Sequence, residues 1–281
     1  RRFRQPFSMA ARRRLTIATH NILDGLYLTQ LLRHYRELHA RESLDALCIQ
    51  ENVPHAASRI AASLGPRFAV CEYAGVSRLA IVYNRAKLRL LRIRALNLPR
   101  LTSVPVVQRI YTSSTPEQKQ ALIARFALRD RPRRRLTVAN VHLDTAGHNS
   151  HRGVQVCALS SALSPSADRA LAVCGDMNTF CWLRTQTEGI IRKLLSPLKQ
   201  RHGASDTHES MPEDTHFFAR AHEPKLGQQI AVAAGRLGID LPRRYDVITT
   251  TLPCSRVGVI DTPDSDHNLI WAQVSDSGRR M

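Results

Sequence analysis

The chain has 281 residues, 43% hydrophobic and 23% charged, the proportions of a globular protein; the length admits one large domain or two small ones. No apolar run approaches the ~20 residues of a membrane-spanning helix. Lys and Arg number 41 against 23 acids, a formal net charge of +18. A surplus of that size favours polyanionic partners such as nucleic acid or an anionic membrane surface, although a basic solubility surface is the plainer account of the same number.

In chain order, the opening RRFRQPFSMAARRRL carries no acid and no apolar segment, so it lacks the form of a secretory signal. Residues 1–13 are expected to be a basic tail, with Met9 as an internal start. Short β-type runs follow: LTIATHNI (15–22), LDALCIQE (44–51), FAVCEY (68–73), RLAIVYN (78–84), LRLLRIRAL (88–96), QALIARFAL (120–128), RRLTVANVHL (134–143), RALAVCGDM (169–177), RYDVITT (244–250) and LIWAQV (269–274). Leu28, Leu31, Leu32, Tyr35 and Leu38 share one face of a helix over 28–41. Residues 152–163 and 185–195 have the same spacing, with Pro165 and Pro197 as stops. RPRRR (131–135) has the composition of a hairpin turn, and 199–243 forms a long excursion with one helix-like piece at 226–238.

About ten strands with few helices do not suit a doubly wound parallel sheet. They suit two packed sheets with helices outside, as one domain over 14–275 and a short tail at 276–281. LTIATHN (15–21) and LTVANVH (136–142) match in pattern, as two related halves with strand ends at one site would. The six cysteines, Cys48, Cys71, Cys157, Cys174, Cys181 and Cys254, include no CxxC pair and no zinc spacing. Cys48 and Cys174 sit in apolar runs as small core residues, and reduced thiols favour an intracellular setting.

Isolated polar residues punctuate the ends of the apolar strands: Asn21, Glu51, His142, then Asp176 and Asn178, while Asp266 and His267 precede the last strand. A strand end is a rigid platform at the rim of a sheet, suited to holding reactive groups. Each residue alone has an ordinary reading: Glu51 as a solvated turn acid, His142 as a core histidine, Asp176-Met-Asn178 as an Asx turn. Their ordered combination is far more specific.

THNILDG (19–25), CIQEN (48–52), NVHLD (140–144), CGDMNTF (174–180), RYDVI (244–248) and SDHNLIW (265–271) together resemble the endonuclease/exonuclease/phosphatase superfamily, the group of DNase I and exonuclease III. The resemblance spans nearly the whole chain. It implies a four-layer α/β/β/α sandwich, two mostly antiparallel sheets flanked by helices, and phosphoester hydrolysis with a divalent metal, magnesium or alternatively manganese. Glu51, Asp266 and Asn21 are the implied metal residues, in keeping with the hard oxygen ligands of Mg²⁺. Asp176 is the implied base, with Asn178 orienting water or phosphate. His267 faces the phosphate and pairs with Asp246; His142 is a second phosphate contact or proton donor. For substrate binding, Arg152 could reach the mouth of the site or simply start a helix. In DTHFFAR (214–220), His216, Phe217 and Phe218 could wall in a base or anchor a long loop.

The pattern also departs from the family. DNase-I-type members place a Glu where this chain has Ser77 and Arg78, which leaves His142 without that partner. Exonuclease-III-type members have an Asp where Leu23 stands, one residue before Asp24, and the runs around NIL and QEN are closer to the deadenylase branch. The substrate expected from charge and motifs together is nucleic acid. The alternatives are an inositol-phosphate, sphingolipid or other small phosphoester, and a binding protein without activity, against which the intact acids and histidines argue.

Overall fold

The computed structural model describes residues 14–102, 117–164, 169–179, 186–210, 213–217, 220, 229 and 243–275. Its strands in chain order are β1 (Arg14–Asn21), β2 (Leu44–Gln50), β3 (Phe68–Tyr73), β4 (Val76–Asn84), β5 (Leu88–Asn97), β6 (Gln120–Leu128), β7 (Arg131–His142), β8 (Arg169–Asp176), β9 (Ser205–Asp206), β10 (Asp246–Thr250), β11 (Cys254–Ile260) and β12 (Leu269–Ser275). The helices are α1 (Leu28–Glu42), α2 (Ala56–Leu64), α3 (Asn149–Ala162) and α4 (Thr187–His202). None of them is long and apolar enough to cross a membrane.

The strands form two six-stranded sheets, β11-β12-β1-β2-β4-β3 and β5-β6-β7-β8-β10-β9. The sheets repeat one another strand for strand. In each, the third and fourth strands are the parallel pair, β1 with β2 and β7 with β8, and the other pairings are antiparallel. The matching runs LTIATHN and LTVANVH therefore occupy equivalent strands, and Asn21 and His142 end them at equivalent points. A helix bridges each parallel pair, α1 in one half and α3 in the other, as a parallel crossover requires.

Three apolar clusters separate four layers. Ile17, Cys48, Ile81, Phe126, Val138, Cys174 and Ile248 fill the space between the sheets. Leu31, Tyr35 and Ile60 of α1 and α2 cover the first sheet at Leu47 and Ile49; Val156, Ile191 and Leu198 of α3 and α4 cover the second at Val141 and Val173. Strands buried on both faces explain continuous apolar runs such as LDALCIQ, every residue of which is buried. Truncating Phe126, fully buried, to Ala is worth roughly 3–5 kcal/mol of stability. The described cysteines, all but Cys181, are free thiols, and those of Cys48 and Cys71 are pushed up by burial.

Several sequence expectations need correction. RPRRR is part of β7, not a turn; the turn is Arg129–Asp130, and a bulge beside Leu128 lets Leu128 pair with Arg131. Pro197 does not stop its helix: α4 continues to His202 with Leu198 buried. Proline deprives the Lys193 carbonyl of its helical donor, and the Ser196 hydroxyl donates to that carbonyl at 2.8 Å instead. Helix α2 and strand β11 escape sequence patterning. The first is rich in small residues, and the second is a half-exposed edge strand with Gly258 packed under the Trp271 indole. Pro165, Phe218, both tails and, apart from residue 229, the helix-like piece at 226–238 lie outside the described residues.

Candidate active site

Strands β1, β2, β7 and β8 deliver their C-terminal ends to one rim, where the two sheets are tied by a buried amide network. The Gln50 amide donates to Asn140 Oδ1 at 2.6 Å and to the Thr19 hydroxyl at 2.9 Å. Asn140 in turn donates across the interface to the carbonyls of Ile49 (2.8 Å) and Ala80 (2.9 Å). With all three side chains fully buried, this floor fixes the register of one sheet against the other. Sequence reading missed it. Gln50 and Asn140 stand beside Glu51 and two residues before His142, but nothing local announces that they meet.

Asp176 is the centre. Its Oδ2 lies 3.2 Å from Asn21 Nδ2 and 3.6 Å from the Nε2 atoms of both His142 and His267. Its Oδ1 accepts the Asn178 backbone N–H at 2.8 Å, which orients the carboxylate. Asn178 takes a left-handed φ of 48°, and its side chain donates to Leu143 O at 3.0 Å. The glycine of the GDMN motif is obligatory: Gly175 has φ 139°, and a Cβ there would overlap the Val141 carbonyl of the adjoining strand. Glu51, also left-handed at φ 54°, turns its Oε1 toward Asn21 Nδ2 at 3.2 Å. Asn21 thus stands between the Glu51 and Asp176 carboxylates, its oxygen accepting the Leu23 N–H at 3.2 Å.

His267 is held from both sides. Its Nδ1 donates to Asp246 Oδ2 at 2.7 Å, leaving Nε2 to face Asp176. The Ser265 hydroxyl accepts the His267 N–H at 3.1 Å and donates to Asn21 O at 2.9 Å, joining the last loop to β1. The Thr215 hydroxyl accepts the N–H groups of Tyr245 and Asp246, both at 3.0 Å, and aims the Asp246 carboxylate. Ser265 opens the SDH motif but was given no role of its own, and Thr215 was not legible, because hydroxyl residues in loops are too common to carry a signal. His216 lies over this group, stacked on Tyr245 at 4.6 Å and edge-on to His267 at 4.7 Å, with Nε2 3.7 Å from Asp266 Oδ2. Phe217 continues the same segment: its N–H donates to Asp266 O at 2.8 Å, and the Arg220 guanidinium covers its ring at 4.2 Å.

Arg152 serves differently from an open guanidinium at the mouth. Buried behind the site, it donates to the carbonyls of Asp144 (2.8 Å), Thr145 (2.8 Å) and Gly147 (3.0 Å) and to Asn149 Oδ1 (3.2 Å), bracing the loop after β7. Those bonds occupy the donors a phosphate would need. Arg78 pairs with Asp24 and approaches Glu51 Oε2 at 3.6 Å. Asp24 is thereby drawn to a cation beside the site, in a turn where its φ is 52°.

The electrostatics divide the two central histidines. Burial disfavours charge on His267, yet the carboxylates of Asp246 and Asp176 outweigh it and hold the pKa well above the ordinary histidine range. His142 moves the other way: burial, then the charges of Lys119, His267 and Arg78, press it well below that range. Burial raises Asp176, against the pull of His267. Burial also raises Glu51, helped by Asp266 and Asp24. For Asp266, burial is overridden by the hydrogen bond from His216 and the charges of His267 and His216, so its pKa falls. The two imidazoles, each 3.6 Å from the same carboxylate oxygen, are thus shifted in opposite directions, an arrangement suited to moving a proton.

Residues 18–267 match the sequence model of the endonuclease/exonuclease/phosphatase family. No curated protein sequence matches the chain. Among solved structures, an endonuclease/exonuclease/phosphatase protein of Bacteroides vulgatus aligns with TM-score 0.68 and 16% identity over 94% of this chain and 99% of that one. D. rerio TDP2 complexed with a single-strand DNA product aligns with TM-score 0.64 and 14% identity, covering 92% and 98%. The mannosyl-6-phosphatase Bt3783 of Bacteroides thetaiotaomicron aligns with TM-score 0.63 and 15% identity over the same shares. The two-sheet body is the fold of these proteins, and the chain belongs to the endonuclease/exonuclease/phosphatase family, whose members hydrolyse phosphoester bonds.

Proposed function

We propose that the protein is a divalent-metal-dependent phosphodiesterase acting on nucleic acid, with Asp176 as the base that activates water. The observation carrying this reading is the single carboxylate oxygen, Asp176 Oδ2, ringed by Asn21, His142 and His267 where the two sheets meet.

The residues present fit a hard cation. Glu51 and Asp266 raise the local negative potential enough for Asp266 to count among the causes of the upward shift of Glu51. Buried Asp266 Oδ1 has no hydrogen-bond partner among the described residues. An oxygen-rich, charge-crowded pair is the donor set Mg²⁺ or Mn²⁺ takes, with waters and a substrate phosphate completing the shell. Two tighter groupings, His216–Asp266–His267 and Asp176–Asp246–His267, bring ligand atoms within 4.8 Å of one another. Both depend on His267, whose Nδ1 is bonded to Asp246 and whose raised pKa keeps the ring protonated, so Glu51 and Asp266 are the better holders. When bound, the cation supplies charge neutralisation at a phosphate oxygen.

The chain's own residues supply the rest. Asp176 takes the proton from an attacking water, fixed in direction by the Asn178 N–H. Asn21 holds the Glu51 and Asp176 carboxylates at a set separation. His267, kept charged by Asp246, donates from Nε2 to the phosphoryl oxygen as charge builds there. His142, neutral, offers a second nitrogen to the phosphate or the leaving oxygen. Beside His142 a cleft of about 350 Å³ continues past Arg78, Glu117, Lys119 and Gln120; its two cations, now paired with Asp24 and Glu117, would exchange those carboxylates for further phosphates of a strand. Phe217 and His216 border the other side. The reading draws further support from the TDP2 relative with its single-strand DNA product.

The test is Asp176→Asn assayed on single-stranded DNA, duplex DNA, RNA and a chromogenic phosphodiester, with Mg²⁺ and with chelator. Turnover of nucleic acid should fall by roughly 10³–10⁴-fold while binding persists. Full turnover by the variant, or wild-type turnover confined to small phosphomonoesters, overturns the reading.

A further inference from the structure

A second concave site lies far from the catalytic rim. On the outer face of the β5–β10 sheet the apolar cover of α3 and α4 ends, leaving a cavity of about 520 Å³ where the two helices terminate. Arg92, Arg94, Arg125 and Arg201 line it together with His202. Thr137 of this cavity and His142 of the catalytic group share β7, about 17 Å apart at ~3.3 Å per residue.

The arginines are not scattered surface charges. Arg92 lies directly opposite Arg125 in the β5–β6 pairing, and Arg94 follows Arg92 on the same face. Like charges directly opposed across an antiparallel pair cost stability, so the pairing concentrates positive charge at this point of the sheet. Among the described residues, no carboxylate lines the cavity, and Arg92 and Arg201 have no ion-pair partner. Arg94 and His202 have structural duties, donating to Ala162 O at 2.7 Å and meeting Ser160 O at 2.9 Å, which hold them at the edge of the cavity. Ile123, Leu163 and Leu171 supply an apolar wall opposite the cations.

We infer that this cavity binds a small, multiply charged phosphate compound, at a site separate from the catalytic one. Guanidinium groups pair with phosphate oxygens in bidentate fashion, and the exposed Arg92 and Arg201, with Arg94 and Arg125 adding positive charge beside them, match more than one phosphate group. The volume, about 520 Å³, is that of a small-molecule pocket. The apolar wall accommodates the organic part of such a ligand. The inference stands apart from the catalytic reading and does not require it.

The experiment is calorimetric titration in chelator with inorganic tripolyphosphate, orthophosphate, ATP and a 12-nucleotide single strand. The proteins are wild type, the double variant Arg92→Ser/Arg201→Ser, both sites exposed, and His267→Ala. Tripolyphosphate should bind the wild type at least ~10-fold more tightly than orthophosphate. The double variant should lose at least ~10-fold of that affinity with phosphodiester turnover unchanged, and His267→Ala should keep it. ATP binding more tightly than tripolyphosphate assigns the apolar wall to the organic moiety; equal binding assigns the phosphates alone. Unaltered affinity in the double variant, loss in His267→Ala, or tighter Arg92/Arg201-dependent binding of the oligonucleotide overturns the inference.

Discussion

The two ends of the sandwich have opposite electrostatic characters although the same strands build both. At the rim where β1, β2, β7 and β8 finish, Glu51, Asp176, Asp246 and Asp266 gather with three histidines, and the nearby cations Arg78 and Lys119 stand to one side. At the far end cations predominate: Arg92, Arg94, Arg125 and Arg201 in one cavity, and Arg14, Lys87, Arg129 and Arg131, with the acid Asp130, around another of about 380 Å³. A net charge of +18 is thus a property of the whole chain that says little about its acidic rim. Inferring a nucleic-acid substrate from that number alone treats a distributed quantity as a local one. The cleft beside His142, where Arg78 and Lys119 stand with their partners Asp24 and Glu117, is the local feature that bears on the substrate.

Removing a carboxylate from the acidic rim separates activity from stability most sharply at Glu51. Glu51→Gln should raise the metal concentration needed for half-maximal turnover by at least ~100-fold, since a neutral amide replaces an anionic ligand of a hard cation. The same change should raise the thermal midpoint of the metal-free protein. Burial and the charges of Asp266 and Asp24 lift the Glu51 pKa on folding, and a raised acid costs stability once the pH exceeds its unfolded value. Unchanged metal titration, or a lowered midpoint without metal, would remove Glu51 from the proposed metal site.

A buried histidine behind the rim sets a pH limit on the fold. His20 lies between the Tyr35 hydroxyl at 2.7 Å and the His267 carbonyl at 3.1 Å, and burial lowers its pKa to about 4. Because the folded value lies below the unfolded value of about 6.5, the unfolded chain binds the proton first. Its contribution is complete above pH 6.5 and is lost as pH falls toward 4, up to about 3 kcal/mol. Denaturant titrations of wild type and His20→Gln across that window should show the wild type losing more; parallel curves would assign the acid sensitivity elsewhere.

Asp246→Asn should lower turnover by about 100-fold. It should also move the alkaline limb of the pH–rate profile to lower pH, because the foremost of the three carboxylates that raise His267 is gone. A lowered rate with an unmoved limb would reduce Asp246 to packing.

Much of the convergence at the rim was legible because each polar residue there interrupts or terminates an apolar strand: Asn21 after LTIATH, His142 after LTVANV, Asp176 after LAVCG. The layered body followed from the same runs. What stayed hidden depends on contacts between distant segments. Gln50 meets Asn140 only once the sheets pack, and Thr215 and Ser265 acquire roles only when their loops lie over β10 and β1. Arg152 was misjudged because sequence shows a cation near the site but not the carbonyls that bind it. Arg92 and Arg125 are likewise unremarkable in sequence, 33 residues apart, until β5 and β6 bring them face to face.

The smallest expected effect sharpens the contrast between the ends. Arg94 donates to the carbonyl of Ala162, the last residue of α3, where the helix leaves its final carbonyls without internal donors and its dipole favours a cation. Arg94→Met keeps most of the aliphatic stem and removes only the charge and the bond. In phosphate-free buffer it should lower unfolding free energy by about 0.5–1 kcal/mol and leave kcat/KM on a phosphodiester unaltered. A loss of turnover would mean that the basic end communicates with the acidic rim along β7 and β8, and the two ends would have to be treated as one coupled system.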